Sequence, residues 1–423
     1  MTTASAPPRD TPQRPPRLAR PAPPPRLPEP CRALPGPDGP KALWAAVRNE
    51  GTPLTGPDPL GDEDHMAVTW LWRGTEATRA VQVLPNKIGD PRAPQGNLME
   101  RVPGTDVWHW TARLRRDWRG TYDLLVDEGG GPEPGTPDYW RWLRSQQRAD
   151  PFNLRTLPRR WSGDPVAYAE LPDAPAASGW EERDGVPRGT VGVHRVPSAH
   201  LGGERRVWLY RPPLPAGHTD RLPVLVLLDG EHWQGELGVA RMLDNLIADG
   251  RVPPVAAVLP DSVDVATRWH DLACRPEYAD FLTGELLPWA GARLPLTDDP
   301  ARTVVAGQSL GGLTAAYAAY RAPHRFGNVL AQSGSFWWPD VDAAAEAEWL
   351  TGRLAVSPRL PVRFRLSFGE QEWVALPAAR RLREALERAG YDDAVYREFN
   401  GGHDYLCWRT ELADGLAEML GAG

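Results

Sequence analysis

The chain of 423 residues, 41% hydrophobic and 24% charged, is too long for one ordinary core and suits a globular protein of two domains plus a tail. A formal net charge of −7 argues against a general nucleic-acid binder, and no apolar run approaches the ~18 residues that span a membrane. Cys31, Cys274 and Cys407 are odd in number and far apart, with neither metal spacing nor a disulfide framework. With no apolar signal segment at the N-terminus, they point to a reducing, cytoplasmic setting.

In chain order, residues 1–40 carry 14 prolines and few large apolar side chains, so they read as a disordered tail. "ALWAAVRNEGTPL" is a short amphipathic helix that stops near Gly51 and Pro53. "MAVTWLWRG", "TDVWHWTARL" and "RGTYDLLVD" then alternate polar and apolar residues, with turns at short intervals. This predicts an N-terminal, immunoglobulin-like β-sandwich over 41–160, interrupted by the loop "EGGGPEPGTP". A linker over 161–190 leads to a different pattern over 191–423. "PVLVLLDG", "PVAAVLPD", "TVVAGQS", "NVLAQSGS", "VRFRLSFG" and "AVYREFN" are apolar runs suited to strands buried on both faces. Helical segments such as "EYADFLTGELLPWAGARL" and "LPAARRLREALERAG" lie between them. Strands alternating with helices give a mostly parallel sheet flanked by helices, the α/β-hydrolase fold.

Ser309, in "VVAGQSLGG", sits where such a strand gives way to a small-residue helix. That context matches a nucleophile elbow, in which flanking glycines allow a crowded turn to push the hydroxyl out of the sheet. The N–H of Leu310 would then face a developing oxyanion, and the loop "LLDGEHW" places Gly230 or its neighbour as the second donor. A serine needs a base. Of nine histidines, His324 and His403 alone follow Ser309. His324 precedes a strand, at the wrong sheet end, whereas His403 lies in the loop "NGGHDYLCW" after the last one. "RFRLSFGEQEW" offers Glu370 and Glu372 as the acid. Glu372 is preferred because a residue or two of turn is needed to reach back to His403; if neither engages, the site is a Ser-His dyad. Asp404 is too close in sequence to orient its neighbour's ring.

These landmarks, together with "DSVDVATRWHDLACRPEYADFLTGELLPW", "SGSFWW" and the N-terminal "GTPL", "TDVWHWTARLRRDWRGTYDLL" and "DPFN", resemble the enterochelin (ferric enterobactin) esterase family over about residues 40–420. The resemblance implies a cytoplasmic serine esterase that opens the trilactone of iron-loaded catecholate siderophores. Ser309, His403 and Glu372 carry over by motif. Arg268 matches a family arginine, although Asp271-Leu272 stands where glutamate-leucine is usual. An anionic, aromatic ligand suits contacts from Arg268, Trp233, Trp337 and Trp338. Their competing roles are a salt bridge from Arg268 to Asp271 and core packing of the tryptophans. Iron enters only within the substrate, and neither a cofactor nor a resident metal site is expected. A feruloyl-type esterase or acyltransferase of the same fold, a non-catalytic siderophore binder and a carbohydrate-associated enzyme are the competing functions.

Overall fold

In Val224–Leu227, alternate side chains enter two different cores. Val224 and Val226 pack with the helix that follows Ser309, and Leu225 and Leu227 pack with the helices on the opposite face. A strand apolar at every position therefore sits in the middle of a sheet covered on both sides. The computed structural model describes the chain outside residues 1–5, 9–14, 17, 23–24, 35–38, 91–92, 162, 215, 340–346 and 422–423.

Among the described residues, the N-terminal part holds ten strands: β1 (Arg26–Leu27), β2 (Leu54–Pro57), β3 (His65–Arg73), β4 (Ala80–Pro85), β5 (Glu100–Arg101), β6 (Val107–Arg115), β7 (Arg119–Asp127), β8 (Gln147–Arg148), β9 (Thr156–Leu157) and β10 (Val166–Glu170). One five-stranded sheet runs β1-β6-β3-β2 with β5 on β6, and a second runs β4-β7-β10-β9 with β8 on β7. All of these pairings are antiparallel. The period-two pattern works as read: Trp70 and Trp110 face each other across β3 and β6, and both bury their rings between the sheets. The sandwich extends past residue 160, because β10 hydrogen-bonds to β7. Within the loop "EGGGPEPGTP" a helix, Pro137–Leu143, begins; Thr136 caps it by accepting from Tyr139 N at 3.2 Å.

The proline-rich segment also departs from expectation. Arg26 and Leu27 pair with Ala112 and Thr111 at the edge of β6, and Arg20 Nη1 donates to the carbonyls of Lys87 and Ile88 at 2.8 and 2.6 Å. Proline cannot join a ladder interior, but the short non-proline pair between Pro25 and Pro28 fits an edge.

The C-terminal part is an eight-stranded sheet ordered β11 (Thr190–Ser198), β12 (Gly203–Arg211), β14 (Ala256–Pro260), β13 (Val224–Leu227), β15 (Thr303–Gln308), β16 (Asn328–Gln332), β17 (Arg363–Gly369) and β18 (Val395–Phe399). The last six are parallel. The hairpin β11–β12 is antiparallel and was not legible as a strand pair, because β11 buries only Val196 and Ser198 near its end. The strand-order reversal around β13 and the carboxyl ends of β15, β17 and β18 define the edge where such sheets place their sites.

Candidate active site

Ser309 lies between β15 and the helix Leu310–Arg321, at φ 58° and ψ −121°. This conformation is unusual for a residue with a Cβ and costs on the order of 1–3 kcal/mol. Its neighbours hold it there: Ser309 N donates to Gln332 O at 3.0 Å, and Ser335 N donates to Ser309 O at 2.9 Å. The steric need for glycine falls on one flank only. A Cβ on Gly307 would stand 2.4 Å from the Gly311 backbone, whereas one on Gly311 would meet nothing nearer than 3.5 Å.

Glu372 and His403 come from two other strand ends. After β17 the chain turns, with Glu372 N donating to Gly369 O at 2.9 Å, and the Glu372 carboxylate folds back over that turn. Its Oε2 lies 2.5 Å from His403 Nδ1, on the loop after β18. Its Oε1 accepts from Ser333 Oγ at 2.5 Å and from Gly369 N at 2.8 Å. Ser333 Oγ in turn accepts from Trp408 Nε1 at 2.8 Å. Glu372 is 3% exposed. Burial pushes its pKa up, but the His403 charge and these hydrogen bonds outweigh burial and hold it below the usual carboxylate range. Glu370 does not take this role; its carboxylate is held by Arg115 of the sandwich at 3.1 Å. Asp404 caps the following helix by accepting from Cys407 N at 3.2 Å, and His324 sits before β16 at the amino edge.

Ser309 Oγ is half-buried and lies 3.4 Å from Ser335 Oγ; its hydrogen-bond contact in this structure is that hydroxyl and not the imidazole. Hydrogen bonds between catalytic groups are commonly long in free enzymes and tighten on substrate binding. Leu310 and Gly230 are both first residues of helices, so their N–H groups have no intrahelical acceptor. Gly230 cannot carry a side chain, because a Cβ would stand 2.4 Å from the Leu259 carbonyl on β14.

The four side chains expected to touch substrate are engaged elsewhere. Arg268 does not pair with Asp271. Its Nε and Nη2 grip Asp229 Oδ1 and Oδ2, each at 2.8 Å, and Nη2 also reaches Gln308 O at 3.1 Å, just before the nucleophile. Asp229 is fully buried. Burial pushes its pKa up, but Arg160 and Arg268 dominate and hold it far below the usual range. Arg268 therefore stiffens the elbow from beneath. Asp271 pairs instead with Arg205 and Arg275, each at 2.8 Å. Trp233 is sealed against Trp180 and Tyr405 and donates to Gln308 Oε1 at 2.7 Å. Trp337 and Trp338 are 7% and 1% exposed within the core. A ring with both faces packed offers none to a ligand.

Sequence reasoning missed a cleft of about 880 Å³ beside the loop after Gly230, lined by Arg159, Arg160, Trp161, Arg206, Trp208 and His232. The run Arg159-Arg160-Trp161 in a Pro- and Gly-rich stretch was its only sequence signal. Arg160 stands over the Trp161 ring at 4.6 Å and binds Asp229 at 2.8 Å. His232 is 1% exposed, and burial pushes its pKa down to about 4. Among the described residues, no group of three or more His, Cys, Asp or Glu is placed to hold a metal, and no helix is long and apolar enough to cross a membrane.

An eight-stranded sheet in this order, with a strained serine at the carboxyl end of β15 and an acid–imidazole pair on the same edge, defines an α/β-hydrolase of the serine-esterase class. Residues 198–419 match the family model for putative esterases, and residues 67–180 match that for the enterochelin esterase N-terminal domain. The chain is 33% identical to the iron(III) enterobactin esterase of Dickeya dadantii (strain 3937), covering 90% of this chain and 93% of that one. It is 32% identical to the iron(III) salmochelin esterase of Escherichia coli O6:H1, over 90% and 93%. The crystal structure of the Shigella flexneri enterobactin esterase in the presence of enterobactin superposes with a TM-score of 0.76 at 32% identity, over 90% of this chain and 97% of that one. This chain belongs to the enterochelin esterase family and is a carboxylic ester hydrolase.

Proposed function

We propose that the protein hydrolyses the ester bonds of ferric catecholate siderophores such as enterobactin, releasing iron from the opened ligand in the cytoplasm. The observation that carries the chemistry is the Glu372–His403 hydrogen bond on the sheet edge that presents Ser309. Substrate class is supported by relatives that share both domains and are esterases of iron(III) siderophores. These relatives do not favour a feruloyl-type esterase, an acyltransferase or an inert binder. The free thiols of Cys31, Cys274 and Cys407 suit a reducing compartment.

In the reaction, Ser309 Oγ attacks an ester carbonyl while His403 Nε2 takes its proton. Glu372 at Nδ1 holds the tautomer and stabilises the imidazolium. The N–H groups of Leu310 and Gly230 hold the oxyanion, each donor lowering the barrier by about 3 kcal/mol. The carbon–oxygen bond to the seryl alcohol breaks, and His403 returns the proton to that leaving oxygen. Water then attacks the acyl-enzyme with the same proton traffic and frees the acid. The cleft, whose arginines are already paired with carboxylates, offers an aromatic ligand the exposed Trp161 ring. Mass spectrometry of products from ferric enterobactin tests this proposal. Wild type should yield linear dihydroxybenzoyl-serine oligomers and Ser309→Ala none; intact siderophore with wild type, or equal turnover by both, overturns it.

A further inference from the structure

The catalytic imidazole sits on a loop that the esterase domain does not hold alone. His403 N donates to Asn86 Oδ1 at 2.9 Å, and Asn86 Nδ2 donates to His403 O at 3.2 Å. One side-chain amide from the sandwich thus takes both main-chain polar groups of the base, as a neighbouring strand would. Asn86 directly follows β4, and its own N–H is fixed to Thr121 O at 2.8 Å. The flanking loop residues are tied to the same domain. Asn400 Nδ2 donates to Asp117 at 2.6 Å, and Asp404 Oδ2 accepts from Thr121 N and Oγ1 at 3.0 and 3.1 Å. The approach is close enough to require glycine: a Cβ on Gly402 would lie 2.4 Å from Asn86 Oδ1.

We propose that Asn86 is a positioning residue for the esterase reaction, and that the N-terminal sandwich serves as the splint that aims His403 at Ser309. The inference rests on the serine-esterase reading of the site. Asn86 acts through the backbone of His403; both ends of its amide are occupied, so it is not a substrate contact. A loop with two glycines just before the histidine has many conformations, and the amide selects the one in which Nδ1 meets Glu372. Losing it leaves the chemistry intact but spreads the imidazole over misaimed positions, which lowers turnover rather than substrate affinity.

The test uses the full-length enzyme with p-nitrophenyl butyrate and a fluorophosphonate probe, neither of which depends on a siderophore. Asn86→Ala should lower kcat and the labelling rate of Ser309 about 10- to 100-fold, with KM within about threefold. Gly402→Ala, which displaces the same amide, should show the same split. The double variant should be little worse than the poorer single one, because both break one interaction. A folded Asn86→Ala enzyme with kcat within twofold of wild type overturns the proposal. So does a loss confined to KM, or one that follows only a lowered melting temperature. If the alanine variant does not fold, Asn86→Ser is judged by the same criteria. Wild type that the probe leaves unlabelled would sink the serine-esterase reading itself, whereas equal labelling of wild type and both variants removes only the role of Asn86.

Discussion

Glu372 is a carboxylate with almost no access to water, yet it stays ionised because three partners, His403, the Ser333 hydroxyl and the Gly369 N–H, favour the charge. Glu372→Gln keeps the size and removes the charge that His403 needs. It should lower kcat roughly 100- to 10,000-fold with little change in KM, measured by steady-state hydrolysis. The same ionisation has a stability consequence. A carboxylate held below its ordinary value of 4.5 stabilises the fold above that pH, and this stability is lost as pH falls through the lower folded value. Denaturant midpoints of wild type and Glu372→Gln should therefore converge from pH 7 toward pH 3. Asp229 is the structural counterpart: fully buried, it is held by Arg160, Arg268 and the Ser262 hydroxyl at 2.6 Å. Asp229→Ala leaves the buried Arg268 guanidinium without a carboxylate and Arg160 with Glu231 alone, and should cost about 3–5 kcal/mol in urea unfolding.

At the element scale, the elbow trades stability for a half-buried serine hydroxyl held out at the strand end. Strand β15 and the helix Leu310–Arg321 meet too tightly for a relaxed residue between them, and Ser309 absorbs the mismatch at positive φ. Ser309→Gly should raise stability by about 1 kcal/mol, since glycine adopts that geometry without strain, and should abolish activity. Differential calorimetry and the ester assay report the two effects separately. Beneath the elbow a chain of buried side-chain hydrogen bonds locks the strand ends. Trp233 Nε1 donates to Gln308, Gln308 Nε2 to Gln332, and Gln332 Nε2 to Trp408 O, each at 2.7 Å. A tryptophan used this way is a beam in the scaffold, which is why its place after a strand end misled the expectation of a ligand contact.

Across the whole molecule, the two domains meet at the loop that carries His403. Asp404 serves both, capping the last helix through Oδ1 and binding the Thr121 N–H and hydroxyl of the sandwich through Oδ2. Asp404→Ala removes the cap and strands a buried N–H, so the summed loss should be roughly 2–4 kcal/mol. Because the contact is shared, chemical unfolding followed by near-ultraviolet dichroism should show the loss in the transition of both domains.

Local pattern alone pointed to the sheet edge that holds Ser309 and His403 and to the central parallel strands, because an elbow, a glycine-rich loop and a strand buried on both faces each leave a contiguous mark. Glu372 was readable for a related reason: a fixed number of turn residues after β17 limits which carboxylate can reach back. The hairpin β11–β12, the docked pair Arg26–Leu27, the Arg268–Asp229 grip and the Asn86 clamp left no such mark. Each joins residues distant in the chain through partners chosen by packing, and a charged or amide side chain in isolation does not say which distant group it will meet. The candidate chemistry was written in short motifs, whereas the hydrogen bonds that tie the His403 backbone to Asn86 join two domains and exist only in the tertiary structure.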